Sequence, residues 1–178
     1  MKCVTRTVKV KERGICIIRT PGEADRKVVG DFIKICGKDP FTPVKAENDG
    51  GSADMWTSLL CSTGASQRDL SVICAWGGKI IAAGCAFYDV KDEKIVCRMM
   101  LFVRKAFRGI GVGSELLKEL IEFAEDVASD EIITEVSLKD KRSIAFYTDN
   151  GFILPDNLHN GNTATLIKAL NYSEIGKE

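Results

Sequence analysis

Histidine is nearly absent from this chain of 178 residues: the single one, His159, lies in a turn-like stretch between Leu158 and Asn160. The seven cysteines are an odd number, and no two of them form a Cys-x-x-Cys pair. A zinc site needs three or four such ligands brought together. We therefore expect no metal site. A Cys–His nucleophile pair is formally allowed by the one histidine, but no local sequence feature orients it.

Long apolar runs and a net charge are also missing. No segment approaches the ~20 apolar residues of a membrane span, and the first residues lack the apolar core of a signal peptide. Lys plus Arg equals Asp plus Glu, 25 against 25, so no basic footprint for nucleic acid is present. The cysteines lie mostly inside apolar runs, which is typical of buried thiols in a reducing compartment. The sequence predicts a soluble, cytoplasmic protein that binds neither membrane nor nucleic acid.

The composition that remains is that of a globular domain. Hydrophobic residues make up 45% of the chain and charged residues 28%, which is the usual balance for a soluble fold. The length fits one ordinary domain. We expect a single domain over residues 1–178, with its core from about residue 14 to residue 170.

Hydrophobic periodicity predicts strands and helices that are mixed along the chain. The strand–helix–strand unit at 95–138 predicts a crossover that places two strands parallel, whereas the strands around Gly77-Gly78 should form an antiparallel hairpin. The fold class is therefore mixed α/β. Predicted strands lie at 14–20, 70–76, 79–88, 95–103, 131–138, 152–154 and 163–170; predicted helices lie at 23–36, around Met55 to Leu60 after a loop at 37–54, at about 111–128 and at 141–150.

A glycine-rich turn follows the strand at 95–103. The sequence Arg108-Gly109-Ile110-Gly111-Val112-Gly113-Ser114 places three glycines at alternate positions where a helix begins. The first turn of a helix offers N–H groups without partners and the positive end of the helix dipole, and both favour a phosphate. Arg108 adds a charge-assisted contact. The turn predicts a pyrophosphate site, although glycines here can equally serve a tight bend.

Two familiar phosphate motifs do not fit this turn. Counted from Gly109 or from Gly111, the pattern Gly-x-Gly-x-x-Gly fails at Ser114 or at Leu116. No Gly-Lys-Ser/Thr follows either. Dinucleotide binding and nucleotide hydrolysis are therefore disfavoured.

The segment 101–113 resembles the acyl-CoA-binding motif of the GNAT superfamily of N-acetyltransferases. The family pattern Arg/Gln-x-x-Gly-x-Gly/Ala is met at Arg108, Gly111 and Gly113. A second family signature, a helix ending in Tyr, three residues, Gly-Phe, is met by residues 143–152 with Tyr147 as the tyrosine. The order of predicted elements also resembles that family over nearly the whole chain.

The resemblance implies a central mixed, largely antiparallel sheet with a splayed parallel strand pair, flanked by about four helices. It also implies acetyl-CoA as cosubstrate. The chain departs from common family residues at Lys105, where many members have Pro, and at Asp140, where many have Asn. The residues that the resemblance assigns to acyl-CoA binding are Leu101, Phe102, Val103, Arg108, Gly109, Ile110, Gly111, Val112, Gly113 and Ser114.

The implied reaction is transfer of an acyl group, expected to be acetyl, to an amine through a ternary complex. Main-chain N–H groups on the strand before the glycine turn would polarise the thioester carbonyl. Tyr147 matches the family's proton donor to the departing thiolate; alternatively it is a helix residue packed on the core. The base is open among Glu135, Glu93 and Asp89, each of which is otherwise a solvated surface acid. Glu135, on the strand that flanks the cleft, is our first candidate, and water alone is the remaining alternative.

The acceptor is expected against the first two helices and the loop at 37–54, whose acidic stretch 45–54 either attracts a cationic amine or is simply exposed. Small amines, polyamines, amino acids, antibiotics, peptide N-termini and protein lysines all stay open. The resemblance also allows a homodimer. A rival interpretation is a non-catalytic acyl-CoA-binding sensor or interaction module, and the presence of Tyr147 argues against it.

Overall fold

The computed structural model describes residues 3–11, 14–41, 50–62, 69–156 and 158–170. Within these ranges one sheet of eight strands is combined with four α-helices. The strands are β1 (Thr5–Val10), β2 (Gly14–Arg19), β3 (Asp69–Trp76), β4 (Lys79–Lys91), β5 (Lys94–Val103), β6 (Glu131–Ser137), β7 (His159–Asn160) and β8 (Thr163–Ala169). The helices are α1 (Arg26–Cys36), α2 (Gly50–Cys61), α3 (Val112–Asp126) and α4 (Lys141–Asp149).

The strands lie in the order β1-β2-β3-β4-β5-β6-β8-β7. Neighbours are antiparallel except β5 and β6, which are parallel and are connected through α3. The mixed α/β class, the antiparallel meander and the parallel crossover are thus confirmed. None of the helices in the described ranges is both long and apolar enough to span a membrane.

Helices cover both faces of the sheet, and the central strand β4 shows why its sequence is almost continuously apolar. Ala82 packs in the core shared with α3, whereas Ala83, the next residue, packs in the core shared with α1 and α2. A strand that is buried on both faces has no need for polar residues at alternate positions. Tyr147 of α4 belongs to the α3 side of the sheet.

Strand β1 is an element that the sequence analysis did not predict. Val8 and Val10 are buried while Thr5 and Lys9 are exposed, which is the alternation of a half-buried strand. Arg6 of β1 forms ion pairs with two carboxylates on α3. The strand therefore holds the first half of α3 against the sheet and extends the core before residue 14.

Two further elements differ from the prediction. Helix α2 begins at Gly50, within the predicted loop at 37–54, and its buried face carries Trp56 and Leu60 while Met55 is exposed. Packing of that face stabilises the helix despite weak local propensity; the rest of the loop, 42–49, lies outside the described residues. The predicted strand at 152–154 is a single bridge between Ile153 and Ile167, because the nearby Pro155 has no N–H to continue a ladder.

Candidate active site

The parallel strands β5 and β6 separate part way along their length. Residues 96–98 of β5 pair with 131–133 of β6, and no pair is formed beyond them within these two described strands. Past this point β5 stays paired with β4 as far as Val103, and β6 stays paired with β8 as far as Ser137. A gap therefore opens between the ends of the two strands. We call this gap the splay.

The free edge of β5 presents main-chain groups to the splay. The N–H of Arg104 donates to the carbonyl of Ile81, 3.0 Å away, across the β4–β5 ladder. Because successive residues of a strand direct these groups to opposite edges, those of Leu101 and Val103 point away from β4. The Nε of Arg108 donates to the Val103 carbonyl at 3.1 Å, in agreement with this geometry.

The glycine turn is shaped by two residues with positive φ. Gly109 and Gly111 have φ of 78° and 94°, values that residues with a Cβ adopt only at a cost. Gly111 is the N-cap of α3, and the first hydrogen bond of that helix runs from the Glu115 N–H to the Gly111 carbonyl, 3.1 Å away. The N–H groups of residues 112–114 precede it, so the helix itself offers them no acceptor.

A cleft lies beside this turn, between the first turns of α3 and α4; we call it the glycine-turn cleft. A Cβ at Gly111 would meet no atom within 4 Å, so the cleft is open there, whereas a Cβ at Gly113 would make ordinary contacts, 3.6 Å from Val103 Cγ2 and 3.7 Å from Phe146 Cζ. Helix N–H groups beside such open space suit a phosphate ester. The lining residues are Lys11, Leu101, Val103, Phe107, Arg108, Gly109, Gly111, Gly113, Ser114, Asp140, Arg142, Ser143, Phe146 and Tyr147.

Three of the ten residues assigned to acyl-CoA binding turn their side chains away from this cleft. Ile110 and Val112 are buried in the core beneath α3, and Phe102 packs against Trp56 of α2 with ring centroids 5.3 Å apart. Their side chains are therefore not available to a ligand in this cleft. The seven that line the cleft are Leu101, Val103, Arg108, Gly109, Gly111, Gly113 and Ser114.

Arg108 is engaged with the protein. Besides donating to the Val103 carbonyl, its guanidinium places Nη2 2.7 Å from Oδ2 of Asp39, a residue that follows α1. The side chains are 28% and 13% exposed, respectively. A phosphate in the glycine-turn cleft would therefore compete with a nearby carboxylate for this arginine.

Tyr147 lies in the wall shared by two cavities, one on each face of the sheet. It is buried, with its ring edge-to-face against Phe146 and Phe152, each centroid 5.2 Å away. Burial raises the pKa of the phenol to about 12, and a hydrogen bond with the Thr134 hydroxyl on β6 opposes that rise. The phenol is therefore protonated across the physiological pH range.

Asp140, the position where many family members have Asn, is the N-cap of α4. Its Oδ1 accepts from the Ser143 N–H at 3.1 Å, and its Oδ2 accepts from the Ser143 hydroxyl at 2.6 Å. Such a cap stabilises the first turn of a helix. The carboxylate that lines the cleft thus already has two donors.

The second cavity opens on the α1 face of the splay; we call it the Cys36 cavity. Burial raises the pKa of the Cys36 thiol to about 12, so this thiol is a poor nucleophile at neutral pH. Six residues line both cavities: Leu101, Val103, Arg108, Asp140, Ser143 and Tyr147. The Cys36 cavity is completed by Cys36, Phe41, Met100, Phe102, Thr134, Glu135, Val136 and Ser137.

The three candidate bases lie in different places. Glu135 is exposed and lines the Cys36 cavity as well as a surface groove with His159. Asp89 pairs with Val96 at the other end of β5, roughly 17 Å along the strand from Leu101 at ~3.3 Å per residue. Glu93 is further still, in the β4–β5 turn. Of the three, only Glu135 is near the splay.

Residues at the site that were not singled out from the sequence include Lys11, Asp39, Thr134 and Arg142. Thr134 had a readable signal, because it is a polar residue among the inward positions of β6, between the buried Ile132 and Val136. Asp39 and Lys11 reach the site through tertiary packing, for which the local sequence carries no signal.

The splayed parallel pair, the helix N-terminus beside it and the cavities on both faces agree with the fold that the resemblance implies. The model of the acetyltransferase (GNAT) family matches residues 40–152, which is more than half of the chain. The chain belongs to the GNAT acetyltransferase family. No curated protein sequence matches it.

Solved structures share the fold at low sequence identity. The GNAT domain of S. lividans PAT is 15% identical, with a TM-score of 0.74, and the match covers 93% of this chain and 97% of that one. PaiA N-acetyltransferase from Thermoplasma acidophilum, solved with coenzyme A, is 14% identical, with a TM-score of 0.66 and coverage of 87% and 99%. Ribosomal-protein-alanine N-acetyltransferase from Brucella melitensis is 18% identical, with a TM-score of 0.69 and coverage of 86% and 99%.

Proposed function

We propose that the protein transfers an acetyl group from acetyl-CoA to a primary amine, with both substrates bound at once. The observation that carries this proposal is the pair of cavities that share six lining residues at the splay. One cavity adjoins the glycine turn and suits the phosphates of acetyl-CoA. The other gives an amine a separate approach, from the opposite face of the sheet.

A direct transfer is favoured over a covalent enzyme intermediate. The Cys36 thiol lies in the acceptor-side cavity, but its pKa of about 12 leaves almost no thiolate. In a direct transfer the amine nitrogen forms a bond with the acyl carbon, the carbon–sulfur bond breaks, and the amine loses a proton. The thiolate that leaves needs a proton from another group.

The main chain of β5 and Tyr147 would supply the remaining chemistry. The free N–H of Leu101 or Val103 would donate to the thioester carbonyl and stabilise negative charge on its oxygen. Tyr147 lines both cavities and carries a proton that it keeps at neutral pH. We assign it the role of proton donor to the thiolate.

Glu135 is our proposed base, acting directly or through water on the incoming amine. It is the candidate carboxylate that lines the Cys36 cavity. Because it is exposed, it keeps contact with solvent, to which the proton can then pass. We expect the reaction to need no metal ion, so turnover should survive chelation with EDTA.

The amine panel that tests this function should contain both small-molecule and protein acceptors. PaiA N-acetyltransferase and a ribosomal-protein-alanine N-acetyltransferase are both similar in fold, so the fold itself does not choose between them. Release of free CoA thiol from acetyl-CoA is measured across polyamines, amino acids, aminoglycosides, peptides with free N-termini and lysine peptides.

Thiol release that depends on one class of amine, together with the mass of the acetylated product, supports the proposal. Tight acetyl-CoA binding with no turnover on any amine would instead favour an acyl-CoA sensor.

A further inference from the structure

The glycine-turn cleft carries two cationic side chains that the family motif does not include. Arg142, on the first turn of α4, reaches across to the glycine turn: its Nη2 lies 3.2 Å from the position a Cβ would take at Gly109. Lys11 follows β1, and its N–H donates to the Ile110 carbonyl at 3.2 Å. Both residues line the cleft. They approach the turn from two elements that are far apart in sequence.

Within the described part of the chain, neither side chain is paired with an acid. Among the described residues, the structure gives no ion pair or side-chain hydrogen bond for Lys11 or Arg142. The carboxylate that lines the cleft with them, Asp140, accepts two hydrogen bonds from Ser143. A cationic side chain without an acidic partner can form charge-assisted hydrogen bonds with a phosphate, because no ion pair has to be broken first.

Arg108 is in the opposite situation. Its guanidinium donates to the Val103 carbonyl and pairs with Asp39 at 2.7 Å. Using it for a phosphate would break an ion pair whose carboxylate is only 13% exposed, and leaving a partly buried charge unpaired is costly. Arg108 therefore connects Asp39, which follows α1, to Val103 at the end of β5.

We propose that Arg142 and Lys11 supply the cationic contacts to the phosphates of coenzyme A, and that Arg108 instead joins Asp39, which follows α1, to the end of β5. This inference rests on the proposed function, because it assumes that an acyl-CoA occupies the glycine-turn cleft. The fit is physical: residues 112–114 offer N–H groups to a phosphate from the helix side, and the two cations would close the remaining sides. Bidentate geometry makes arginine the stronger phosphate ligand of the two.

The test is calorimetric titration of CoA and of 3′-dephospho-CoA into the full chain and four variants: R142Q, K11Q, R108Q and K105Q. Lys105 is the matched control, since it is exposed, lies just before the glycine turn and lines neither cavity. We expect the Kd for CoA to rise ~10- to 100-fold in R142Q and by a smaller factor in K11Q, as for loss of a charge-assisted contact. We expect less than about a threefold change in the control K105Q, and a smaller rise of the Kd in R108Q than in R142Q.

The two ligands separate the phosphates. If a variant also binds 3′-dephospho-CoA more weakly than the wild type does, the substituted cation contacts the pyrophosphate. If the variant and the wild type bind 3′-dephospho-CoA equally well, the cation contacts the 3′-phosphate. Either result supports the inference. Wild-type affinity in folded R142Q and K11Q, with weakened binding in R108Q, would overturn it and leave the proposed function standing. Absence of CoA binding to the wild-type chain would overturn both. Circular dichroism spectra establish that each variant is folded.

Discussion

The glycine-turn cleft and the Cys36 cavity meet at one splay, yet they are constructed differently. The cleft is formed largely by one continuous segment, residues 101–114, together with the first turns of α4. The Cys36 cavity collects residues after α1, on β5 and on β6. The glycine-turn cleft offers main-chain N–H groups and space beside glycines, whereas the Cys36 cavity is lined by side chains of several types. A cosubstrate site of the first kind can be shared by a family, and a site of the second kind can differ with each acceptor.

The largest effect on catalysis is expected from substitution of Tyr147, which lies in the wall between the glycine-turn cleft and the Cys36 cavity. Tyr147→Phe keeps the ring and deletes the hydroxyl. Positioned general acids contribute ~10²- to 10⁴-fold, so kcat should fall by about that factor while the Kd for acetyl-CoA changes little. Steady-state kinetics and calorimetry measure the two quantities.

Tyr88→Phe is the matched control, since Tyr88 packs beside the core on β4 and lines neither cavity. It should leave kcat unchanged. If folded Tyr147→Phe turns over at nearly the wild-type rate, Tyr147 is a core residue and its assignment as the acid is wrong.

The next effect is expected in the glycine-turn cleft alone. Gly113→Ala adds a methyl group at ordinary contact distance from Val103 and Phe146, so the fold should survive. The methyl group occupies space at the helix N-terminus, and the Kd for acetyl-CoA should rise about tenfold or more, equivalent to ~1.4 kcal/mol. Gly111 is a poorer choice, because its φ of 94° makes any side chain strain the backbone itself.

Gly22→Ala is the control for that measurement, since a Cβ at Gly22 meets no atom within 4 Å and its φ is −126°. Its Kd should match the wild type. An unchanged Kd in folded Gly113→Ala would contradict the position given to the phosphates.

The comparison also explains what the sequence could predict. The glycine turn and the α4 tyrosine lie in short continuous motifs, so their positions followed from local pattern together with the family resemblance. Strand β1 had a regular alternation, with Val8 and Val10 inward, but its basic residues masked the signal. The pairing of Arg108 with Asp39 depends on how α1 packs on the sheet, and no local pattern encodes that contact.

A smaller effect is expected from Thr134→Val, which removes the hydroxyl that hydrogen-bonds with Tyr147 and keeps the shape of the side chain. The buried phenol loses a partner, which should lower the free energy of unfolding by ~1–3 kcal/mol. Because that hydrogen bond lowers the pKa of Tyr147, its loss should raise the pKa further. We expect kcat to fall by less than in Tyr147→Phe. Urea unfolding and phenolate absorbance report these changes, and an unaltered Tyr147 titration would contradict the pairing.

The pH dependence of stability follows from the same phenol. Its folded pKa of about 12 lies above the unfolded value of ~10. The unfolded chain therefore releases this proton first, and the contribution of the neutral phenol to stability, complete below pH ~10, is lost as pH rises toward 12. The difference in unfolding free energy between wild type and Tyr147→Phe should shrink by up to ~1.4 kcal/mol per pH unit in that window. Urea titrations at pH 9 and pH 11 measure it. A constant difference would show that the phenol is not desolvated.

The smallest effect is expected from Glu135→Gln, because this carboxylate is exposed and water can replace it as the proton acceptor. A base in contact with solvent contributes less than a buried one, so kcat/KM should fall by ~10-fold or less at neutral pH. The fall should diminish at alkaline pH, where more of the amine is already neutral and needs no base.

Glu131→Gln on the same strand is the control, since Glu131 pairs across from Val96, away from the splay, and lines neither cavity. A pH-independent fall that appears only in KM would identify Glu135 as a contact for a cationic acceptor. If Glu135→Gln and Glu131→Gln have equal kcat/KM at every pH, Glu135 is not the base and solvent accepts the proton. Tyr147 would then be the one side chain with a proposed chemical role.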